Sequence, residues 1–307
     1  MANFPSFYDP SRIGTLYHPN VAAIAAEAAA ASLSPAADDE LHVHFVIIDM
    51  QIDFCHVNGT LSVPGAIGDL QRTIEYIYTH AERISTITCS LDSHLPHQIF
   101  SPDWWADGDG NPPAPFTLIT LADIEAGTWQ PTRDVEQSIA YVRQLEQEAK
   151  KVLTIWPYHT MIGNIGQALD QELWSAVFWH SLARQTQPRF LTKGSIPQTE
   201  HYSIIQPEVM MPSEQMGVTN QAFLDELAQA DLILVAGEAE SHCVLESVED
   251  MIEGFKASPE TISKIRLYQD MTSPVVHPEI DFHAMALEKF KAFEAAGIVL
   301  TDSRSDF

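Results

Sequence analysis

The chain has 307 residues, and its 42 acidic and 16 basic side chains give a formal net charge of −26. The electrostatic field of so negative a protein repels the phosphate backbones of nucleic acids, so we expect no nucleic-acid partner. No apolar run approaches the roughly 18 residues that span a membrane, and we expect neither a membrane anchor nor a signal peptide. Three widely spaced cysteines do not resemble a disulfide framework, which favours a reducing compartment, and we expect the cytoplasm.

Strand-like and helix-like segments alternate along the chain. Strands are predicted at LHVHFVII (41–48), ISTITCS (84–90), VLTIW (152–156), RFLTK (189–193), DLILVAG (231–237), IRLYQD (265–270) and GIVLT (297–301). Helices are predicted at 68–83, 164–184, 219–230, from about Ser241, and at 279–296. This alternation predicts an α/β protein with a mostly parallel central sheet covered by helices on both faces, a three-layer Rossmann-like architecture.

Two segments do not fit the alternation. Residues 1–40 are predicted to be an N-terminal extension, part loop and part Ala-rich helix, and residues 41–307 a single domain. Residues 95–151 form an insertion with a Pro/Gly/Asp-rich stretch and a polar helix near 134–151. An insertion this long is typical of a lid, an interface element or surface decoration.

The tryptophans of the insertion favour a role near a ligand. Trp104 and Trp105 lie in its Gly/Pro-rich part, where such large side chains are costly unless they pack against something. The insertion also starts next to His94 and ends just before Trp156. We therefore expect it to fold over the site and supply part of a pocket, with a subunit interface as the alternative.

Chemically active side chains follow the predicted strands. In an open parallel sheet, ligands bind outside the carboxyl ends of the strands. The residues expected at that rim are Asp49, Asp53, Asp92, His94, Trp156, His159, Lys193 and Cys243. A nucleophile, carboxylates, a lysine and two histidines are thus predicted to share one edge.

Cys243 is the candidate nucleophile. It follows a Gly-containing turn at the start of a predicted helix, where the helix N-terminus is expected to lower the pKa of the thiol. The alternative is a small buried apolar residue, which is the usual role of a lone cysteine.

Asp92, His94 and His159 are candidate metal ligands. Two histidines and one carboxylate leave coordination positions open, as a catalytic zinc or iron site requires. Taken singly, the D-x-H pattern of Asp92 and His94 is common by chance.

Five segments together resemble one family, the nicotinamidase / isochorismatase-like cysteine hydrolases. They are IIDMQIDFCHVNGTLSVPGA (47–66), TCSLDSH (88–94), IWPYHTMIGNIG (155–166), FLTKGS with the following HYS (191–203), and VAGEAESHCV (235–244). The resemblance implies the isochorismatase-like fold. It is closer to the amidases of the superfamily than to the isochorismatases, many of which lack the cysteine.

The resemblance implies a catalytic set. Cys243 would attack a carboxamide carbon, Asp49 would carry the proton, and Lys193 would hold Asp49 ionised and oriented. The backbone N–H groups of Ala239 and Cys243 would form the oxyanion hole, and the Glu238–Ala239 bond is expected to be cis.

The resemblance also implies a metal and a substrate site. Asp92, His94 and His159 would bind a divalent metal ion, with zinc expected and iron or manganese as alternatives. Phe54 and Trp156 would sandwich the substrate ring.

The expected reaction is hydrolysis of a small nicotinamide-like carboxamide to a carboxylic acid and ammonia. The family also includes N-carbamoyl and ureide amidases, many of which lack metal ligands, and a non-catalytic binding or scaffold protein is the alternative from another class. We further expect a small-molecule amide as the partner, no membrane partner, and a homo-oligomer.

Overall fold

The computed structural model describes residues 4–147, 151–277 and 279–307. Its strands are β1 (Val43–Ile48), β2 (Thr86–Asp92), β3 (Trp105–Ala106), β4 (Leu118–Ile119), β5 (Gln130–Pro131), β6 (Leu153–Thr154), β7 (Arg189–Lys193), β8 (Leu232–Gly237), β9 (Ile265–Tyr268) and β10 (Val299–Thr301). Its α-helices are α1 (Val21–Ala31), α2 (Ile52–Cys55), α3 (Ala66–Thr79), α4 (Leu121–Ala126), α5 (Val135–Gln147), α6 (Gln171–Ala183), α7 (Gln221–Gln229), α8 (Leu245–Gly254), α9 (Pro259–Ile262) and α10 (Phe282–Ala296).

A six-stranded parallel sheet forms the centre of the molecule, in the order β10-β9-β8-β1-β2-β7. All six residues of β1, VHFVII, are buried, which fits a strand with a neighbour on each side and a layer above and below. The sheet confirms the predicted α/β architecture. It also brings the carboxyl ends of β1, β2, β7 and β8 to one edge, since parallel strands all point the same way.

Helices surround the sheet in two packed groups, one of α1, α3 and α6 and the other including α8 and α10. In α3, the buried residues Leu70, Ile74 and Ile77 recur at helical spacing and form its inner face. No helix in the described part of the chain is both long and apolar enough to cross a bilayer.

The prediction that 152–156 is a strand of the parallel sheet is wrong. Only β6 forms there, and it pairs antiparallel with β4 of the insertion, outside the central sheet. The backbone N–H of Ile155 donates to Thr117 O (2.8 Å), and that of Trp156 donates to Phe100 O (2.9 Å). The insertion therefore buries this apolar run, and periodicity alone cannot distinguish such burial from a place in a sheet.

Trp104 and Trp105 form a core inside the insertion. Their side chains are 2% and 1% exposed, and their indole N–H groups donate to Ser138 Oγ (2.9 Å) and Ile99 O (2.6 Å). The expectation that they contact a ligand or a neighbouring subunit is wrong, because both side chains are enclosed within this chain.

Two predicted segments extend beyond the described residues. The Ala-rich helix of the N-terminal extension is α1, and residues 1–3 lie outside the described part. The polar helix predicted near 134–151 is α5, and residues 148–150 of that prediction also lie outside it.

Candidate active site

The end of β1 places a buried carboxylate at the rim of the sheet. Asp49 has no exposed surface and adopts a φ of 46°, a left-handed conformation that is uncommon for a residue with a side chain. Its Oδ1 accepts a hydrogen bond from Ser90 Oγ (2.6 Å), and its own backbone N–H donates to that same hydroxyl oxygen (3.0 Å). The neighbouring strand β2 thus fixes the orientation of this carboxylate.

A lysine at the end of β7 joins the acidic groups to the cysteine. Lys193 Nζ lies 2.8 Å from Asp49 Oδ2 and 2.9 Å from Asp92 Oδ1. It also donates to His201 O (3.1 Å) and lies 3.6 Å from Cys243 Sγ. Since Lys193 is only 2% exposed, these contacts replace the water that a charged amine would otherwise bind.

The turn after β8 carries the cysteine. Gly237 has a φ of 133°, and a Cβ there would lie 2.1 Å from Ile48 O, so only glycine fits between the two strands. The Glu238–Ala239 peptide bond is cis, as expected. A π-helical turn, Glu240–Val244, follows and leads into α8, so Cys243 lies within this turn, two residues before α8 begins at Leu245.

Burial opposes ionisation of the Cys243 thiol. Burial raises the pKa of Cys243 well above its ordinary value; Lys193 opposes this shift, and the carboxylates of Asp49 and Asp92 add to it. The predicted lowering of this pKa by the helix N-terminus is therefore wrong for the free protein. Burial also raises the pKa of Asp49 despite the opposing charge of Lys193, which makes this carboxylate a better acceptor for a thiol proton.

Asp92, His94 and His159 form a cluster whose ligand atoms all lie within 4.8 Å of one another. Asp92 Oδ2 lies 2.7 Å from His94 Nε2 and 3.6 Å from His159 Nε2. The opposite ring nitrogens, both Nδ1, are bonded to the carbonyl oxygens of Gly194 (2.9 Å) and Pro157 (2.7 Å).

This arrangement fits a divalent cation. Backbone carbonyls that hold Nδ1–H turn each Nε2 toward Asp92, where it can act as a metal ligand; this is the usual outer-shell arrangement for metal-binding histidines. Although burial alone would raise it, His94 and Lys193 hold the pKa of Asp92 well below its ordinary value, so the carboxylate is ionised. Burial lowers the pKa of His159, which favours the neutral imidazole that a metal requires.

The residue after Lys193 is a glycine, Gly194, because a side chain at this position would clash with the triad. Its φ is 82°, and a Cβ there would lie 2.6 Å from Asp92 Oδ1 and 2.7 Å from His94 Cε1. The absence of a side chain lets the backbone approach the triad closely enough to hold His94.

A small cavity of about 40 Å³ opens beside these groups. The predicted site residues that line it are Phe54, Asp92, His94, Trp156, His159, Ala239 and Cys243. Asp49 and Lys193 do not line the cavity, but Lys193 Nζ lies 3.6 Å from the sulfur of Cys243, which does. The cavity is therefore aromatic and acidic, with the cysteine and the triad both accessible to one small molecule.

Asp53 has a different role from the one its position suggested. Its Oδ2 accepts from the backbone N–H of Thr160 (2.7 Å) and its Oδ1 from that of Thr60 (3.3 Å). It joins the loops next to His159 and does not line the cavity. Ala239, predicted to supply an oxyanion-hole donor, has a backbone N–H with no hydrogen-bond partner among the described residues.

Sequence reasoning missed half of the cavity wall. The further lining residues are Leu61, Phe100, Glu200, His201, Tyr202, His242 and Val275. Phe100 is the contribution of the insertion. A charged residue such as Glu200 in a polar loop is usually solvent-exposed, and only the three-dimensional contacts reveal its burial.

Comparison with solved structures finds nicotinamidases. A nicotinamidase/pyrazinamidase from Acinetobacter baumanii superposes with a TM-score of 0.55 and 16% identity, covering 87% of this chain and 99% of that one. The yeast nicotinamidase Pnc1p, bound to the inhibitor nicotinaldehyde, superposes with a TM-score of 0.57 and 15% identity, covering 85% of this chain and 99% of that one. PnC1 from L. infantum, in complex with nicotinate, superposes with a TM-score of 0.52 and 17% identity, covering 89% of this chain and 97% of that one. By sequence, no family model and no curated protein matches the chain.

These similarities define the class of fold. The chain has the isochorismatase-like α/β fold of the nicotinamidases, as the sequence motifs predicted. Those solved chains are covered almost completely, whereas 13–15% of this chain lies outside the superposed part (100 minus 87 and 85).

Proposed function

We propose that the protein is a metal-containing cysteine amidohydrolase that cleaves a small nicotinamide-like carboxamide to a carboxylic acid and ammonia. The observation that carries this proposal is the position of Lys193 Nζ, 2.8 Å from Asp49 and 3.6 Å from Cys243 Sγ behind the wall of an aromatic cavity. A proton acceptor, a cation and a nucleophile in contact are the elements of covalent amide hydrolysis.

The first half-reaction would form a thioester. Asp49 accepts the thiol proton as Cys243 Sγ attacks the carboxamide carbon, and the N–H of Ala239 faces the developing oxyanion together with that of Cys243. The C–N bond then breaks, and the proton held by Asp49 leaves with the amine as ammonia. Donors of this kind are worth roughly 3 kcal/mol each in related chemistry.

The second half-reaction would release the acid. Asp49, again ionised beside Lys193, takes a proton from water as its oxygen attacks the thioester carbon. The C–S bond breaks, the proton returns to the sulfur of Cys243, and the carboxylic acid leaves.

Asp92, His94 and His159 would hold the divalent metal ion, with zinc proposed and iron or manganese as alternatives. Such an ion supplies Lewis acidity that positions the substrate or its water. Phe54 and Trp156 would contact the two faces of a planar substrate ring.

An ammonia-release screen tests the proposal. The panel contains nicotinamide, pyrazinamide and benzamide, together with N-carbamoyl and ureide compounds. Turnover of the heteroaromatic amides is expected, and Cys243→Ala should lose it. Cys89→Ala is the matched control, because Cys89 is buried in β2 and does not line the cavity. Turnover of only the carbamoyl or ureide compounds, or of none of the panel, would contradict the proposal.

A further inference from the structure

Glu200 is a buried carboxylate in the wall of the cavity. It is 2% exposed and lines the same space as Cys243. Its Oε1 accepts from Trp156 Nε1 (3.1 Å) and from the hydroxyl of Tyr202, and its Oε2 accepts from the hydroxyl of Tyr141 (3.1 Å). All three donors are neutral.

No cation in the described part of the chain forms an ion pair with this carboxylate. Lys151 is the cation that lowers the pKa of Glu200, but its Nζ is paired with Glu246 and not with Glu200. Burying a carboxylate without an opposite charge is unfavourable, and an apolar residue of similar size would be tolerated more easily. The position therefore carries an ionisable carboxyl group that the fold alone does not require.

We propose that Glu200 is a specificity-determining residue that makes the cavity accept neutral carboxamides and reject molecules that carry a carboxylate. This inference rests on the proposed amidohydrolase function and narrows its substrate class. N-carbamoyl amino acids would be rejected as substrates, and the acid formed from a neutral amide would be released readily because it gains a negative charge on formation.

The physical basis is repulsion between like charges at short range in a site with little water. Such repulsion is weakly screened, and at the width of one small ring it changes relative affinity by about tenfold or more. Because Glu200 also orients Trp156, its replacement alone could alter the cavity's shape, so the test must separate charge from structure.

The test compares Glu200→Gln with Tyr141→Phe. The first removes the charge at nearly constant size, and the second removes one donor of the same network while the charge stays. Both are made in the Cys243→Ala background, and calorimetry measures the affinities of pyridine-3-carboxylate and pyridine-3-carboxamide at about pH 8. Burial raises the pKa of Glu200 to about 7, so the carboxylate is largely ionised there.

Glu200→Gln should raise the acid-to-amide affinity ratio by about tenfold or more, and Tyr141→Phe should leave this ratio within about twofold of the parent. An unchanged ratio in Glu200→Gln, or an equal change in Tyr141→Phe, would overturn the inference. If Glu200→Gln does not fold, Glu200→Met provides the same comparison.

Two outcomes separate this inference from the proposed function. The calorimetric ratio requires no turnover, so it tests the charge even if no amide is hydrolysed. In the otherwise wild-type protein, Glu200→Gln should also raise ammonia release from N-carbamoylglycine relative to nicotinamide. Hydrolysis of nicotinamide with no change in either ratio would retain the function and refute the role of Glu200.

Discussion

Replacing Lys193 with methionine would leave two buried carboxylates without their cation. Lys193 Nζ lies 2.8 Å from Asp49 Oδ2 and 2.9 Å from Asp92 Oδ1, and all three side chains are nearly inaccessible to water. Removing one partner of a buried ion pair typically costs about 3–5 kcal/mol. We expect Lys193→Met to lower the free energy of unfolding by that amount and to abolish amide turnover.

The stability lost in Lys193→Met should depend on pH in a defined direction. Burial already raises the pKa of Asp49 with Lys193 in place, and removal of the cation would raise it further. A carboxyl group whose pKa is higher in the folded than in the unfolded state destabilises the fold above the unfolded pKa. That penalty fades as the pH falls and the folded group takes up a proton. The cost of Lys193→Met should therefore be larger at about pH 8 than at about pH 5.

Urea unfolding followed by circular dichroism, with a chelator present throughout, measures this cost at both pH values. Lys264→Met is the matched control, because Lys264 Nζ donates only to the backbone oxygens of Ala228 (3.2 Å) and Ala230 (2.8 Å). It should cost about 1 kcal/mol at either pH. A cost for Lys193→Met no larger than the control, or one that grows as the pH falls, would refute the reasoning.

Three further predictions follow from the site and the insertion. The purified protein should contain about one divalent metal ion per chain by elemental analysis, and Asp92→Ala/His94→Ala should lose it; equal metal content would refute the triad. Gly194→Ala should also lower metal content, because its Cβ would lie 2.6 Å from Asp92 Oδ1, whereas unchanged content would show that the loop adjusts. Trp104→Ala should cost about 3–5 kcal/mol in urea unfolding with KM unchanged, and a changed KM at full stability would restore a substrate-binding role for this tryptophan.

The sequence predicted the parts of the site that follow strand ends. Asp49, Asp92 and Lys193 each terminate or directly follow a strand of the parallel sheet, and hydrophobic patterning identifies such strands well. Their meeting at one edge then follows from parallel topology alone.

The parts contributed by irregular segments could not be predicted in this way. The run 152–156 has the composition of a sheet strand, but it is buried by the insertion, and the contacts of Trp104 depend on how that insertion folds on itself. Glu200 lies in a loop whose burial arises from Trp156, Tyr202 and Tyr141, residues contributed by separate segments.

The state of Cys243 also depends on its full surroundings. Its place before a helix indicated a lowered pKa, but that expectation considers only the helix terminus. Burial and two nearby carboxylates act in the opposite direction. In the proposed mechanism, a thiol with a raised pKa needs a proton acceptor, and this is the role proposed for Asp49.

A covalent thioester on Cys243 is the intermediate of the proposed reaction, and intact-protein mass spectrometry after rapid acid quenching of the protein with nicotinamide would detect it. We expect a transient adduct equal in mass to one acyl group, located on the peptide that contains Cys243, with one ammonia released for each adduct formed. Cys243→Ala should show neither the adduct nor turnover above about a hundredth of the wild-type rate. Ammonia release that persists in Cys243→Ala, or an adduct located on another residue, would rule out Cys243 as the nucleophile.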